Sequence, residues 1–155
     1  MPRFLIAAAH KSSGKTVIAT GLAAAFAARG VAIQTFKKGP DYIDPMWLSA
    51  ASGRPCYNLD FNTMTAQEIG HLFAQHSRSG DLSMVEANKG LYDGVDLLGS
   101  DSNAELAKIL QTPVVLVVDT SGMTRGIAPL LLGYRAFDRA VNIVGVILNK
   151  TGGTR

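Results

Sequence analysis

Short apolar runs alternate along the chain with stretches whose apolar residues recur at three- and four-residue spacing. Residues 4–9, 31–36, 82–86, 114–118 and 142–148 read as strands. The run at 114–118 has no polar interruption, as a strand covered on both faces requires. Residues 14–29 are alanine-rich and proline-free, with high helix propensity, and Gly30 stands where a helix stops. Thr65-Ala66-Gln67-Glu68 and Ser102-Asn103-Ala104-Glu105 both have the spacing of a capping box. Ile69, Leu72 and Phe73 follow the first, and Leu106, Ile109 and Leu110 the second, each set a buried helical stripe. Residues 127–137 read as a last helix, with Pro129 tolerable only in its first turn. Strands alternating with helices in this order predict an α/β fold: a mostly parallel sheet with helices on both faces.

Periodicity fades between residues 37 and 65, where Pro40, Pro45 and Pro55 fall. A connection so long is either disordered or functional, and its aromatic and charged content points to function. The chain closes on Thr151-Gly152-Gly153-Thr154-Arg155 straight after a strand, which reads as a truncation of one domain spanning 1–155. With 155 residues, 47% hydrophobic and 17% charged, there is material for one core, and a disordered chain is excluded. No apolar run approaches the roughly 18 residues that span a bilayer. The first apolar run leads into His10-Lys11 without a cleavage site, and the one cysteine, Cys56, cannot pair within the chain. These features predict a soluble, cytoplasmic protein with no membrane partner. The net charge is +3, and the lysines gather at Lys11 with Lys15 and at Lys37 with Lys38. That grouping suits a compact polyanion such as a nucleoside triphosphate, not a nucleic acid.

Ala9-His10-Lys11-Ser12-Ser13-Gly14-Lys15-Thr16 lies between the first strand and the first helix. It matches the phosphate-binding loop G-x-x-x-x-G-K-[ST] except that Ala9 replaces the first glycine. In such a loop, backbone N–H groups and the helix N-terminus converge on an anion. Lys15 is then placed to reach the β- and γ-phosphates, and the Thr16 hydroxyl to reach Mg2+. Gly14 permits a close backbone approach. Ser12 and Ser13 complete the cradle, Lys11 adds a second positive charge or points into solvent, and His10 reads as a loop packing residue.

The metal of a phosphate loop needs an acidic partner at a neighbouring strand end. Glu86 and Asp119 both end strands. Asp119 begins Asp119-Thr120-Ser121-Gly122, which reads equally as a capping turn, so Glu86 is the better metal ligand. After the second strand comes Lys37-Lys38-Gly39-Pro40-Asp41-Tyr42-Ile43-Asp44-Pro45, two carboxylates behind two lysines. In a parallel sheet the C-terminal strand ends share one crevice, which puts the phosphate loop, this acidic loop and Glu86 together. Taken alone, Gly39-Pro40-Asp41 reads equally as a solvated turn.

Together these residues resemble the N-terminal, ATP-dependent synthetase domain of the cobyrinic acid a,c-diamide synthase family. The resemblance extends through Ser52-Gly53-Arg54-Pro55, Asn58-Leu59-Asp60, Gly90-Leu91-Tyr92-Asp93-Gly94, Asn103 to Lys108, Val117 to Met123, Leu132 to Asp138 and Gly145 to Asn149. It covers essentially the whole chain, and Lys-x-Gly-Pro-Asp-Tyr-Ile-Asp-Pro is far more specific than a phosphate loop. It implies a P-loop NTPase-like fold and an ATP- and Mg2+-dependent ligase that amidates the a- and c-acetates of a tetrapyrrole through an acyl phosphate. By that resemblance Thr16, Asp41 and Glu86 hold Mg2+, and Lys38 neutralises phosphate or substrate carboxylate. Asp44 and Asp93 act near the acceptor, Tyr42 and Tyr92 face the macrocycle, and Asn149 recognises adenine. Ammonia comes from glutamine through a C-terminal glutaminase domain that this chain lacks, and Cys56 reads as an incidental buried residue. A homodimer is compatible with the pattern.

Asn88-Lys89 stands where many cobyrinate enzymes carry small or apolar residues, which leaves a sirohydrochlorin- or sirohaem-type substrate as an alternative within the family. The competing class is a switch or partitioning P-loop ATPase, which has no need of paired carboxylates behind two lysines. A dethiobiotin-type ligase shares the fold but should lack Gly39-Pro40-Asp41-Tyr42-Ile43-Asp44.

Overall fold

A computed structural model describes residues 1–152. The elements in chain order are β1 (Arg3–Ala8), α1 (Lys15–Ala28), β2 (Ile33–Lys38), α2 (Asp44–Ser52), β3 (Tyr57–Leu59) and α3 (Ala66–Ser77). Then follow β4 (Leu82–Glu86), α4 (Asn103–Ile109), β5 (Val114–Asp119), α5 (Ile127–Phe137) and β6 (Ile143–Asn149). The strands pair in parallel in the order β3-β2-β4-β1-β5-β6. Alternate side chains on each strand feed two cores. On one face, Leu5, Phe36, Val85 and Leu116 meet Ile69 and Phe73 of α3 and Leu106 of α4, with Leu130 and Tyr134 of α5 at the margin. On the other, Ile6, Ile33, Met84 and Val117 meet Ala19 and Ala23 of α1 and Leu48 of α2. The sheet is therefore helix-covered on both faces, as expected. Among the described residues, no helix is long and apolar enough to cross a membrane.

The stretch from 37 to 65 holds two elements that the apolar pattern does not announce, α2 and β3. In α2, proline occupies the first turn, and Gly53 at φ 67° ends the helix. Leu48 is its one fully buried apolar residue, so no periodic stripe exists to be read. The two capping boxes also differ. At α3 both halves form, with Glu68 N donating to Thr65 Oγ1 and Thr65 N donating to Glu68 Oε2. At α4 the Ser102 hydroxyl accepts from Glu105 N at 3.1 Å, but the Glu105 carboxylate pairs with Lys108 at 2.8 Å. Cys56, expected to be buried, is half-buried, and burial pushes its thiol up to about 11, away from the reactive thiolate form. The expected truncation at Thr151–Arg155 falls partly on residues 153–155, outside the described residues.

Candidate functional site

The loop from Ala9 to Gly14 turns sharply at the end of the inner strand β1, with Ser12 at φ 66° and Gly14 at φ 91°. A Cβ at Gly14 would collide with the Asn149 amide, so glycine is needed there for conformation and for space. Ala9, the departure from the loop pattern, has no positive φ and is buried in the core. Its N–H donates to Val117 O at 3.1 Å, and its carbonyl accepts from the Tyr134 hydroxyl. A methyl fits such a position without strain. Ser13 is buried and donates to His10 O at 2.8 Å, whereas Ser12, Lys11 and His10 are exposed at the turn. The imidazole Nδ1 of His10 sits 2.7 Å from Lys11 O, the loop packing expected of it.

Lys37 is the centre of the acidic groups. Its side chain is 3% exposed, and its ammonium lies 2.7 Å from Asp44 Oδ2, 3.2 Å from Glu86 Oε1 and 3.9 Å from Asp41 Oδ2. Sheet register explains the contact with Glu86, because Lys37 on β2 and Glu86 on β4 are paired positions. The Thr16 hydroxyl donates to Glu86 Oε1 at 2.7 Å and lies 3.3 Å from Asp44 Oδ2. Thr16, Asp44 and Glu86 therefore form one group. Asp41 stands at its edge: its Oδ1 accepts from Ile43 N and Asp44 N and fixes the start of α2. Burial is the largest influence on Glu86 and raises its carboxyl, while Lys37 and Thr16 pull it back toward the charged form. Lys15 donates to Lys89 O at 2.7 Å. Burial, and then Lys37, hold its ammonium below the ordinary lysine range, with Glu86 and Asp44 opposing.

The remaining expected residues are dispersed. Lys38 follows Lys37 on a strand and so faces the opposite side of the sheet; its ammonium lies 3.4 Å from Asn88 Oδ1 and 5.4 Å from the Phe61 ring centroid. Lys37, and not Lys38, is the lysine that meets the carboxylates. Asp44 sits with Thr16 and Lys37, in the one cleft expected of the acidic loop and the phosphate loop. Asp93 accepts from Gly90 N at 3.1 Å. Tyr42 is 81% exposed beside Asp41, whereas Tyr92 packs on α5, its hydroxyl donating to Tyr134 O at 2.7 Å and its ring 4.7 Å from that of Phe137. Asn149 donates to Ser13 O at 2.9 Å, and Lys150 bridges Ser12 O at 3.2 Å and Asp119 Oδ2 at 2.7 Å. The end of β6 thus clasps the phosphate loop backbone, and Asp119 serves that clasp. Lys150 is missing from the sequence reading, and Lys37 stands there only as one of two paired lysines; strand parity would have separated Lys37 from Lys38 had the reach of β2 been known.

The six-stranded parallel sheet with its helices matches the folds of solved structures. The kinase domain of Escherichia coli tyrosine kinase ETK superposes with TM-score 0.69 at 17% identity, over 99% of this chain and 70% of that one. Signal Recognition Particle 54 kDa protein from Aeropyrum pernix, in complex with GDP, gives TM-score 0.67 at 18% identity over 99% of this chain and 36% of that one. At such identity these likenesses show the fold alone. Sequence relatives carry more. A cobyrinate a,c-diamide synthase of Magnetococcus marinus is 51% identical over 100% of this chain and 33% of its own length. A hydrogenobyrinate a,c-diamide synthase of Streptomyces coelicolor is 47% identical over 100% of this chain and 32% of its own. This chain therefore spans about a third of the curated relatives it matches. Residues 4–155 match the family model described as CbiA, the CobQ/CobB/MinD/ParA nucleotide binding domain. With that match and those identities over its whole length, the chain belongs to the CbiA nucleotide-binding family.

Proposed function

We propose that this chain is the ATP-dependent half of an a,c-diamide synthase, converting the a- and c-acetates of a cobyrinate-type tetrapyrrole into amides. The carrying observation is the Lys37-centred group of Asp44, Glu86 and Thr16, placed directly behind the phosphate loop. A switch ATPase needs the hydroxyl and one carboxylate, but not the paired carboxylates Asp41 and Asp44 behind two lysines. The names of the relatives, cobyrinate and hydrogenobyrinate synthases, favour a corrin-type acid over a sirohydrochlorin. The Gly39-Pro40-Asp41-Tyr42-Ile43-Asp44 segment likewise separates the chain from dethiobiotin-type ligases.

The residues fit Mg2+. Glu86 Oε2 is buried with no hydrogen-bond partner, an acceptor that a cation would satisfy. Among the described residues, no three His, Cys, Asp or Glu side chains converge as a self-sufficient metal site. Mg2+ bound with substrate phosphates needs only one or two carboxylates, here Glu86 and Asp44 with the Thr16 hydroxyl and Asp41 nearby. The ion, when bound, would neutralise charge on the β- and γ-phosphates.

A carboxylate is a poor electrophile because oxide cannot leave. An acetate oxygen attacks the γ-phosphorus, the bond from that phosphorus to the β-phosphate oxygen breaks, and ADP departs. The nitrogen of ammonia then attacks the acyl carbon; the carbon–oxygen bond to phosphate breaks, a proton is released, and an amide remains. Ammonia reaches the site from glutamine hydrolysed by a part of the protein outside this chain. The work of the chain is positioning and charge neutralisation. Lys15 holds the triphosphate and Lys37 keeps two carboxylates from repelling a third from the substrate. Tyr42, Ile43, Met46 and Trp47 are exposed on and beside the first turns of α2, an apolar shelf for the flat macrocycle next to the acids. The acceptor-side roles that the resemblance implies for Asp93 and Lys38 require the substrate acid to reach past the end of β2, and Asn149 shapes the loop through Ser13 O.

The full-length protein, supplied with MgATP and ammonium, is expected to release ADP only when cobyrinic acid is added, with mono- and diamide appearing by mass spectrometry. Sirohydrochlorin should leave ADP release near background. Equal stimulation by both acids, or ATP turnover driven by a protein or DNA partner instead, would contradict this reading.

A further inference from the structure

Asn103, at the start of α4, is 0% exposed, and its side chain hydrogen-bonds to backbone atoms. Its Nδ2 donates to Asn88 O at 2.5 Å and to Gly90 O at 2.7 Å, and its Oδ1 accepts from Asn88 N at 3.2 Å. Exchanging the amide oxygen and nitrogen would set an oxygen against two carbonyls and an NH2 against an N–H, so this orientation is forced. The three bonds hold the residues on either side of Lys89, which stands between them at φ 41°. That is a left-handed conformation that a lysine keeps only when its surroundings impose it. The carbonyl so presented accepts from Lys15 Nζ at 2.7 Å. From the same three-residue loop, Gly90 N donates to Asp93 Oδ2, and Asn88 Oδ1 faces the Lys38 ammonium.

We propose that Asn103 is a positioning residue: its amide locks the loop after β4 in the strained shape that aims Lys15 into the phosphate site. The inference deepens the proposed function and rests on its reading of Lys15 as a triphosphate ligand. Ser102 caps α4 and the Ala104 N–H donates to Leu91 O at 2.8 Å, so the helix start is fixed independently of the Asn103 side chain.

The test uses three variants of the full-length protein. Asn103→Asp keeps the shape and the acceptor for Asn88 N–H but replaces the NH2, and with it both donated bonds, by one oxygen facing two carbonyls. Asn103→Ala removes all three bonds. Leu106→Ala weakens the core under the same helix and removes none of the three Asn103 hydrogen bonds. Asn103→Asp and Asn103→Ala are each expected to weaken MgATP binding about tenfold or more, the scale on which supporting hydrogen bonds act. Both should speed amide hydrogen exchange at Asn88 and Gly90. Leu106→Ala should lower the melting temperature at least as much, yet keep MgATP affinity and loop protection. Wild-type affinity and protection in Asn103→Asp would overturn the inference, as would an equal loss of affinity in Leu106→Ala. If the wild-type protein binds no MgATP, the phosphate-loop reading fails, and loop exchange in Asn103→Asp still decides whether this side chain locks the loop.

Discussion

Lys15→Ala is expected to weaken MgATP binding by at least about 100-fold, or about 2.7 kcal/mol, and to abolish amidation. The ammonium is nearly buried, and desolvation is the largest influence lowering its proton affinity, with the Lys37 charge next. One carbonyl contact, to Lys89 O, does not offset that cost. A polyphosphate supplies the missing negative charge, and alanine cannot collect it. Lys11→Ala is the comparison, since Lys11 is exposed and should change affinity by less than about threefold. Isothermal titration on both variants reads the difference. Near-normal affinity in Lys15→Ala would mean that the loop does not bind triphosphate through this side chain.

Lys37→Met is expected to cost about 3 kcal/mol of stability and to remove amidation. Removing one member of a buried ion cluster leaves the others uncompensated, and Glu86 is fully buried 3.2 Å from the Lys37 ammonium. Lys38→Met isolates the effect. Lys38 has one long contact to Asn88 and an aromatic neighbour, and methionine replaces most of its packing, so its loss should cost less than about 1 kcal/mol. Urea unfolding of the two variants separates them. A Lys37→Met variant that loses no more stability than Lys38→Met would show that the acid cluster does not depend on Lys37.

The phosphate loop is legible in the sequence because everything it needs is local: a strand, a glycine at positive φ, a lysine and a hydroxyl within eight residues. The helices α1 and α3 are legible for the same reason, through propensity and a reciprocal cap. The choice between Lys37 and Lys38 is not, because it turns on β2 extending to Lys38 and on strand parity, and periodicity ends that strand at 36. The second helix escapes because its exposed face carries Ile43, Met46 and Trp47, apolar residues that blur any stripe. The resemblance implies an acceptor-side role for Asp44, and its contact with Thr16 on α1 spans 28 residues, which no local pattern encodes. Asn103 leaves no mark either, since its partners are backbone atoms 13 and 15 residues earlier and any residue type could supply them.

Oxygen-18 in the acetate carboxylates of the tetrapyrrole gives the most direct test of whether triphosphate and substrate acid react side by side in this crevice. With full-length protein, MgATP and ammonium, one labelled oxygen should appear in inorganic phosphate for each amide formed, and Lys15→Ala should yield neither. Amide formed with unlabelled phosphate would contradict direct phosphoryl transfer to the carboxylate.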